Sequence, residues 1–221
     1  MATRLDLADI LTFSQSYGER RPPQFVVAAT LAGELGQIIH VAKRLSLSSK
    51  NARVITVRAG EWGRGFSGIT QFIDEYARRT IMCAERINQA SSELSRRSIR
   101  NLFMDQVVHR LARVIEKKRE KSESIVGCHR RLKDNCQAMA RESDAATRRL
   151  GQDIAEIREC TRALSSLVAI CRIEASRAGP FQEALGVIAS EIELSTERLL
   201  RSVNSGQRIL EMLSGPLVST R

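Results

Sequence analysis

The chain has 221 residues, of which 4% are aromatic, and it contains thirteen glycines and four prolines. This composition disfavours a β-sandwich or β-barrel, and the length fits one domain, compact or elongated. The formal charge of +10 permits contact with nucleic acid, anionic lipid or an acidic protein surface, and it does not distinguish between them.

The cysteines and the apolar runs indicate in which cellular compartment the protein is expected. The five cysteines are odd in number and show no CxxC spacing, so neither a zinc site nor a disulfide framework is indicated. No secretory signal is recognised at the start, which favours reduced thiols and a cytoplasmic location. The most apolar run, 25–42, is interrupted by Glu34, Gln37 and His40, so we predict a soluble chain without a transmembrane span.

Glycine and proline divide the chain into helical segments. No proline lies between Pro23 and Pro180, and the helices are expected over about 24–59, 66–118, 127–178 and 183–214. The predicted organisation is a flexible N-terminal arm at 1–23, a first helical hairpin at 24–118 with its tip at 60–65, a connection at 119–126, a second hairpin at 127–214 with its tip at 179–182, and a tail at 215–221. The fold class predicted from this pattern is all-α.

Apolar and small residues recur every three or four positions along the predicted helices. Such stripes begin at Phe66, at Leu132 and at Leu185, and each continues for several turns. A mean spacing of 3.5 residues keeps a narrow stripe against partner helices, as in a coiled coil. We interpret these positions as core.

An internal repeat relates the two hairpins. When the chain is shifted by 119 residues, the sequence RAG that ends at Gly60 aligns with the RAG that ends at Gly179, and Trp62 aligns with Phe181. Because neither hairpin can bury its apolar stripe alone, the repeat predicts a long antiparallel four-helix coiled-coil bundle made of two tandem helical hairpins. Both glycine turns are then expected side by side.

The first turn carries the motif RAGEWGRGF at 58–66. With its flanks, over 39–77, this segment resembles the hairpin tip of bacterial methyl-accepting chemotaxis proteins, and the second hairpin resembles a diverged copy of it. The matches in the first hairpin are Val41, Ala42, Leu47, Asn51, Ala52, Arg58, Ala59, Gly60, Glu61, Gly63, Arg64, Gly65, Phe66, Ile69 and Ile73. The resemblance covers about 38–80 well and 157–199 weakly.

In that family, the hairpin tip of a homodimer forms a four-helix bundle, assembles into trimers of dimers, and binds the chemotaxis histidine kinase and its coupling protein. The resemblance therefore implies a signalling tip with both halves of the dimer fused in one chain. At the family's Asn-Glu-Arg interaction positions the first hairpin has Asn51, Ile55 and Arg58, and the second has Ile170, Glu174 and Arg177. These differences predict an asymmetric tip. No methylation region is recognised, so methylation is not predicted.

The predicted partner-binding residues lie at the two turns and on the adjoining helices: Asn51, Arg58, Glu61, Trp62, Arg64, Phe66, Glu174, Arg177 and Phe181. Trp62 and Phe181 are interpreted either as anchors for a partner or as rings that fold back over the helix ends. Arg58, Glu61 and Arg64 either hydrogen-bond open carbonyls of the turn or meet a partner's carboxylates. The glycines of the turns are read as positions of backbone freedom rather than as a phosphate cradle.

The sequence offers no recognisable catalytic set. His40, His109 and His129 have neither metal nor catalytic spacing, and no Ser-His-Asp or Cys-His arrangement is found. We therefore predict no enzyme activity, no metal, no cofactor and no small-molecule substrate. The expected function is binding, in which the tip engages the chemotaxis histidine kinase, its coupling protein or chemoreceptor arrays.

A basic segment provides an alternative function. Between Arg96 and Arg149 there are fifteen Lys and Arg residues against seven Asp and Glu residues. This segment is either solvated helix surface or, in the alternative, part of a non-signalling helical scaffold whose basic base binds anionic lipid or nucleic acid non-specifically. Because no interleaved aromatic residues and no recognition motif are noted in it, sequence-specific reading of DNA is not expected.

Overall fold

The structure, a computed structural model, describes residues 24–117 and 123–214. Its α-helices are α1 (Gln24–Ala59), α2 (Arg64–Lys117), α3 (Glu123–Ser176) and α4 (Gln182–Ser214), with 3-10 turns at Gly60–Gly63 and Gly179–Phe181. Apart from Arg177 and Ala178, every described residue is helical. The all-α prediction is confirmed. The predicted arm at 1–23, the tail at 215–221 and residues 119–122 of the connection lie outside the described residues.

The ends of the helices follow the predicted breaks closely, with one exception. Helix α1 ends at Ala59 as predicted, whereas α3 begins at Glu123, four residues before the predicted start at Gly127. Gly127 lies inside the helix, and a Cβ at this position would meet nothing within 4 Å. A glycine in a helix interior costs about 1 kcal/mol relative to alanine. A helix of 54 residues tolerates that cost.

Residue contacts divide the chain into two compact units. Among the described residues, unit 1 comprises 24–30, 90–117, 123–150 and 210–214, and unit 2 comprises Leu31–Gln89 and Gly151–Ile209. Each unit therefore contains parts of both predicted hairpins. Both glycine turns belong to unit 2.

Unit 2 has an apolar core built from the predicted stripes. Within this unit the stripe positions of α2, α3 and α4 are buried, apart from the half-buried Tyr76. The largest fully buried side chains of the unit are Leu31, Leu35, Ile38, Leu45, Phe66, Ile73, Ile87, Ile157 and Leu164. The spacing of 3 and 4 residues thus predicted the parts of this core that lie on α2, α3 and α4, whereas no stripe was predicted for the core residues of α1.

Polar contacts in unit 2 join its four helical segments. They are Ser46–Asp74 (2.6 Å) and Ser49–Thr70 (3.2 Å) between α1 and α2, Arg79–Glu156 (3.2 Å) and Arg86–Asp153 (2.6 Å) between α2 and α3, Arg172–Glu193 (3.1 Å) between α3 and α4, and Ser48–Glu191 (3.0 Å) between α1 and α4. Each helical segment of the unit therefore contacts two others through side chains.

The long helices in unit 1 are less completely covered by neighbouring helices than those in unit 2. The Ser98 hydroxyl lies 3.4 Å from the amide oxygen of Gln24, the first described residue of α1, and α2 continues beyond this point to Lys117. Along α3 the predicted stripe positions Cys136 and Met139 are only half-buried. The described residues of α1 do not extend far enough to cover the later turns of α2.

One stretch within the helical run Gln24–Glu116 is long and apolar enough to cross a membrane by length and composition, and 39% of that window is buried inside the structure. The core helix of a soluble protein passes the same test. This property alone therefore does not distinguish a core helix from a membrane span.

Candidate functional site

The candidate site is formed by the two 3-10 turns, which contact each other. Each turn begins at a glycine with a left-handed backbone, Gly60 with φ of 55° and Gly179 with φ of 52°. These two residues are equivalent in the internal repeat. Because L-residues with a side chain are disfavoured in this region of φ, both positions favour glycine.

A third glycine, Gly63, allows the first turn to lie close against α1. A Cβ at Gly63 would lie 2.7 Å from the carbonyl oxygen and 2.8 Å from the Cα of Thr56. These are backbone atoms of α1, so a side chain at position 63 requires the backbone to move. The close approach of the turn to α1 therefore depends on glycine at this position.

Trp62 packs on the opposite turn. A Cβ built on Gly179 would lie 2.9 to 3.1 Å from three carbon atoms of the six-membered indole ring. Even so, 57% of Trp62 remains exposed. The two interpretations of this residue are therefore compatible, since part of the ring covers the second turn and the rest is available to a partner.

The equivalent ring on the second turn does not repeat this contact. Phe181 is half-buried, but a Cβ at Gly60 would meet nothing within 4 Å. Trp62 therefore covers Gly179, whereas no side chain in the described part of the chain covers Gly60 in the same way. The two turns share a backbone conformation and differ in how they are covered.

Charged side chains of the first turn pair with one another. The Arg64 guanidinium donates to the Glu61 carboxylate, and both side chains are more than three-quarters exposed. An exposed ion pair of this kind contributes at most about 1 kcal/mol. The sequence prediction that Arg64 meets open carbonyls or a partner's carboxylates did not include this local pairing.

Glu174 of α3 lies against the start of α2. Its carboxylate occupies the space that a Cβ on Gly65 would need, with its Cδ 2.6 Å from that position. Gly65 is the second residue of α2, where the helix dipole favours a negative charge. The absence of a side chain at position 65 thus lets a carboxylate from the second hairpin approach the first.

The remaining predicted residues are divided between surface and core. Asn51, Arg58 and Arg177 are exposed on α1 and just after α3. Phe66, by contrast, is only 1% exposed. Its ring packs in the core of unit 2 and offers no area to a partner, so its inclusion among the contact residues needs correction.

Exposed apolar residues beside the predicted site were missed. Val54 is 62% and Ile173 50% exposed, and the two are equivalent in the repeat. Val54 lies between Asn51 and Arg58 along α1, one turn of helix from each. Their departure from the 3.5-residue core spacing is the signal that identifies them as surface residues.

An ion-pair network between α2 and α3 lies elsewhere in unit 2. Ligand atoms of Cys83, Asp153 and Glu156 all lie within 4.8 Å of one another. The Arg86 guanidinium is 2.6 Å from Asp153, 3.1 Å from Glu156 and 3.2 Å from the Cys83 sulfur. Since this guanidinium already supplies a positive charge between the two carboxylates, the cluster is explained as a structural network.

The electrostatics of this cluster agree with that reading. Burial raises the pKa of Cys83 to about 12, so the thiol is protonated at neutral pH. The hydrogen bonds from Cys83 and from Arg79 lower the pKa of Glu156. The protonated Cys83 thiol and the ion pairs of Arg79 and Arg86 with Asp153 and Glu156 hold α2 against α3.

Comparisons of the chain with protein-family models, with curated proteins and with solved structures find no match.

Proposed function

We propose that the four helical segments of unit 2 run alternately up and down as an antiparallel four-helix coiled coil, made of two tandem hairpins. The contacts between α1 and α2 support this direction, because Ser46 meets Asp74 whereas the later Ser49 meets the earlier Thr70. The repeat relates these helices to α3 and α4, so the second hairpin follows the same course.

On this scaffold, the chain acts as a chemoreceptor-like signalling protein in the cytoplasm. Its two contacting turns bind the chemotaxis histidine kinase, its coupling protein or chemoreceptor arrays. The observation that carries the proposal is the exposed group Asn51, Val54 and Arg58, which lies on α1 immediately before the turn that carries the RAGEWGRGF motif. No catalytic step, cofactor or small-molecule substrate is assigned to it.

The difference between the two aromatic residues of the turns supports binding of a partner mainly through the first turn. Trp62 presents exposed aromatic area, whereas Phe181 is half-buried. Aromatic and arginine side chains contribute most to many protein interfaces. We therefore assign the principal contact to the first turn and to the adjoining part of α1.

The test is a binding measurement with purified coupling protein and kinase. Val54→Glu and Arg58→Ala each change an exposed residue of α1 and leave the Trp62 packing intact, and each is expected to weaken binding about 10-fold or more. Arg44→Ala, an exposed arginine earlier on the same helix, is the matched control and should bind like the unchanged protein.

Two results would count against the tip as the binding surface. One is a chain that binds neither protein although its circular dichroism shows that it is fully helical. The other is binding that Val54→Glu and Arg58→Ala leave unchanged.

A further inference from the structure

In the described part of unit 1, large apolar side chains are exposed on one helix only. Among the described side chains of this unit, those that are exposed all lie on α2: Ile99, Leu102, Phe103, Val107 and Val114. Phe103 is the most exposed of them, at 66%. Helix α3 contributes none of them, although it is the other long helix of the unit. Exposed apolar residues gathered on one helix indicate a contact surface.

Arginines share this surface with the apolar residues. Arg96, Arg100 and Arg110 fall at helical spacing with Ile99 and Phe103, and all five are exposed. Phe103 lies among these arginines, so the prediction that the basic segment lacks interleaved aromatic residues is wrong. The surface therefore combines apolar and cationic groups.

These arginines differ from Arg97 in their pairing. Arg97 pairs with Glu93 at 2.8 Å and with Glu142 at 3.1 Å. Among the described residues, no ion pair is found for Arg96, Arg100 or Arg110. The hydrogen bond from Arg97 and, at longer range, the charges of Arg96 and Arg100 lower the pKa of Glu93. Because none of the three surface arginines is held in an ion pair among the described residues, they can still meet an anionic partner.

Acidic residues of the same helix segment lie away from this surface. Asp105 and Glu116 lie on another side of the helix, about 160° and 140° from Phe103 at 100° per residue. Asp105 is also within 3.7 Å of His109. The charged residues of the proposed surface are therefore all basic, and Glu93, at its N-terminal border, is paired with Arg97.

We propose that this face of α2, consisting of Arg96, Ile99, Arg100, Phe103, Val107 and Arg110, binds the surface of a bilayer that contains anionic lipid. In such a complex the arginines meet the headgroup phosphates, and the apolar side chains enter the boundary between headgroups and acyl chains. A nucleic acid would satisfy the arginines but would leave Ile99 and Val107 in water. The inference concerns unit 1 and does not rest on the function proposed for the turns.

Tryptophan fluorescence tests the insertion directly. Trp62 is the single tryptophan, so a Trp62→Phe background carries none and Phe103→Trp then places one on the proposed face. With phosphatidylcholine–phosphatidylserine vesicles, its emission is expected to shift to shorter wavelength and to be quenched by brominated acyl chains. Phe72→Trp in the same background is the matched control, because Phe72 is 55% exposed in unit 2, and it should show neither effect.

Vesicle co-sedimentation tests the charge requirement. Arg100→Gln combined with Arg110→Gln is expected to reduce partitioning about 25-fold, since each basic residue at an anionic surface contributes about fivefold. Arg130→Gln combined with Arg131→Gln removes the same charge from exposed positions of α3 and should have a much smaller effect. Pure phosphatidylcholine vesicles should bind weakly.

Three outcomes would overturn the proposal. The first is an unshifted Phe103→Trp emission in the presence of anionic vesicles. The second is an equal loss of binding in the α2 and α3 arginine variants. The third is a chain that does not sediment with vesicles but binds duplex DNA with an affinity that Phe103→Ser leaves unchanged. That result would identify the face as a nucleic-acid surface.

Discussion

The six-membered ring of Trp62 covers Gly179, a residue 117 positions later in the chain, and so joins the turn of one hairpin to the turn of the other. Gly179 satisfies two requirements at once. It adopts φ of 52°, and it leaves room for the ring. Gly60, its equivalent in the repeat, meets only the first requirement, because open space adjoins it.

This difference predicts unequal effects of one substitution at equivalent positions. Gly60→Ala should destabilise the fold by about 1 kcal/mol, the cost of a left-handed conformation. Gly179→Ala should cost about 1 to 3 kcal/mol more, because the new methyl group overlaps Trp62. Urea unfolding measures both changes, and Trp62 emission should move toward the spectrum of a solvated indole only in Gly179→Ala. Equal losses of stability would contradict the packing of Trp62 on Gly179.

Glycines on either side of the start of α2 should respond in opposite directions. Gly63→Ala should destabilise by about 1 to 3 kcal/mol, since its methyl group would overlap the backbone of Thr56. Gly68→Ala should stabilise by about 0.5 to 1 kcal/mol, since Gly68 is exposed in α2 with nothing within 4 Å of the added carbon. Thermal unfolding of the two variants checks the signs. A Gly63→Ala variant as stable as the unchanged chain would refute the steric requirement at the turn.

Periodicity predicted the helices and the part of the unit 2 core on α2, α3 and α4, because both depend on local spacing. Phe66 illustrates this, since it begins the predicted stripe on α2 and is buried, although the motif also placed it in the site. The predicted start of α3 at Gly127 is too late, because the helix already begins at Glu123 and continues through this glycine. A single glycine without other turn residues does not end a long helix.

The geometry of the site could not be derived from spacing. The repeat predicted that the turns would be neighbours, but nothing in the sequence indicated whether Trp62 or Phe181 would pack on the opposite turn. Only the three-dimensional contact distinguishes Trp62, which covers Gly179, from Phe181. The position of Glu174 beside Gly65 likewise depends on how two distant segments meet.

Asp74 should make stability depend on pH. Burial acts to raise its pKa, but hydrogen bonds from Ser46 and Arg78 outweigh this effect, and the pKa of Asp74 lies below its ordinary value. A carboxyl whose pKa is lowered by folding stabilises the native state above its unfolded pKa of about 4, and this contribution is lost as the pH falls further. Asp74→Asn should therefore lower stability by about 1 to 2 kcal/mol at pH 7 and progressively less at lower pH.

Urea midpoints between pH 7 and pH 3 measure this dependence. Glu75→Gln, at the exposed neighbouring position, is the control for the loss of one carboxylate. If the difference between Asp74→Asn and the unchanged chain stays constant with pH, the hydrogen bonds from Ser46 and Arg78 do not favour the charged form.

The five cysteines, which are all free, should react in an order set by burial. Burial raises the pKa of Cys83 and of Cys171 to about 12, and it also raises the pKa of the buried Cys160. A thiol with that pKa is about one part in ten thousand thiolate at pH 8, and only the thiolate reacts with a disulfide reagent. Cys128 is exposed, so it should be modified first under native conditions.

Labelling with a chromogenic disulfide at pH 8, followed by peptide mass mapping, measures this order. Cys128→Ser should remove the fastest phase. Cys83, Cys160 and Cys171 should react rapidly only in urea, where unfolding exposes all three. Fast native modification of Cys171 would mean that its helix opens readily at this position, because a fully packed neighbour shell excludes both water and the reagent.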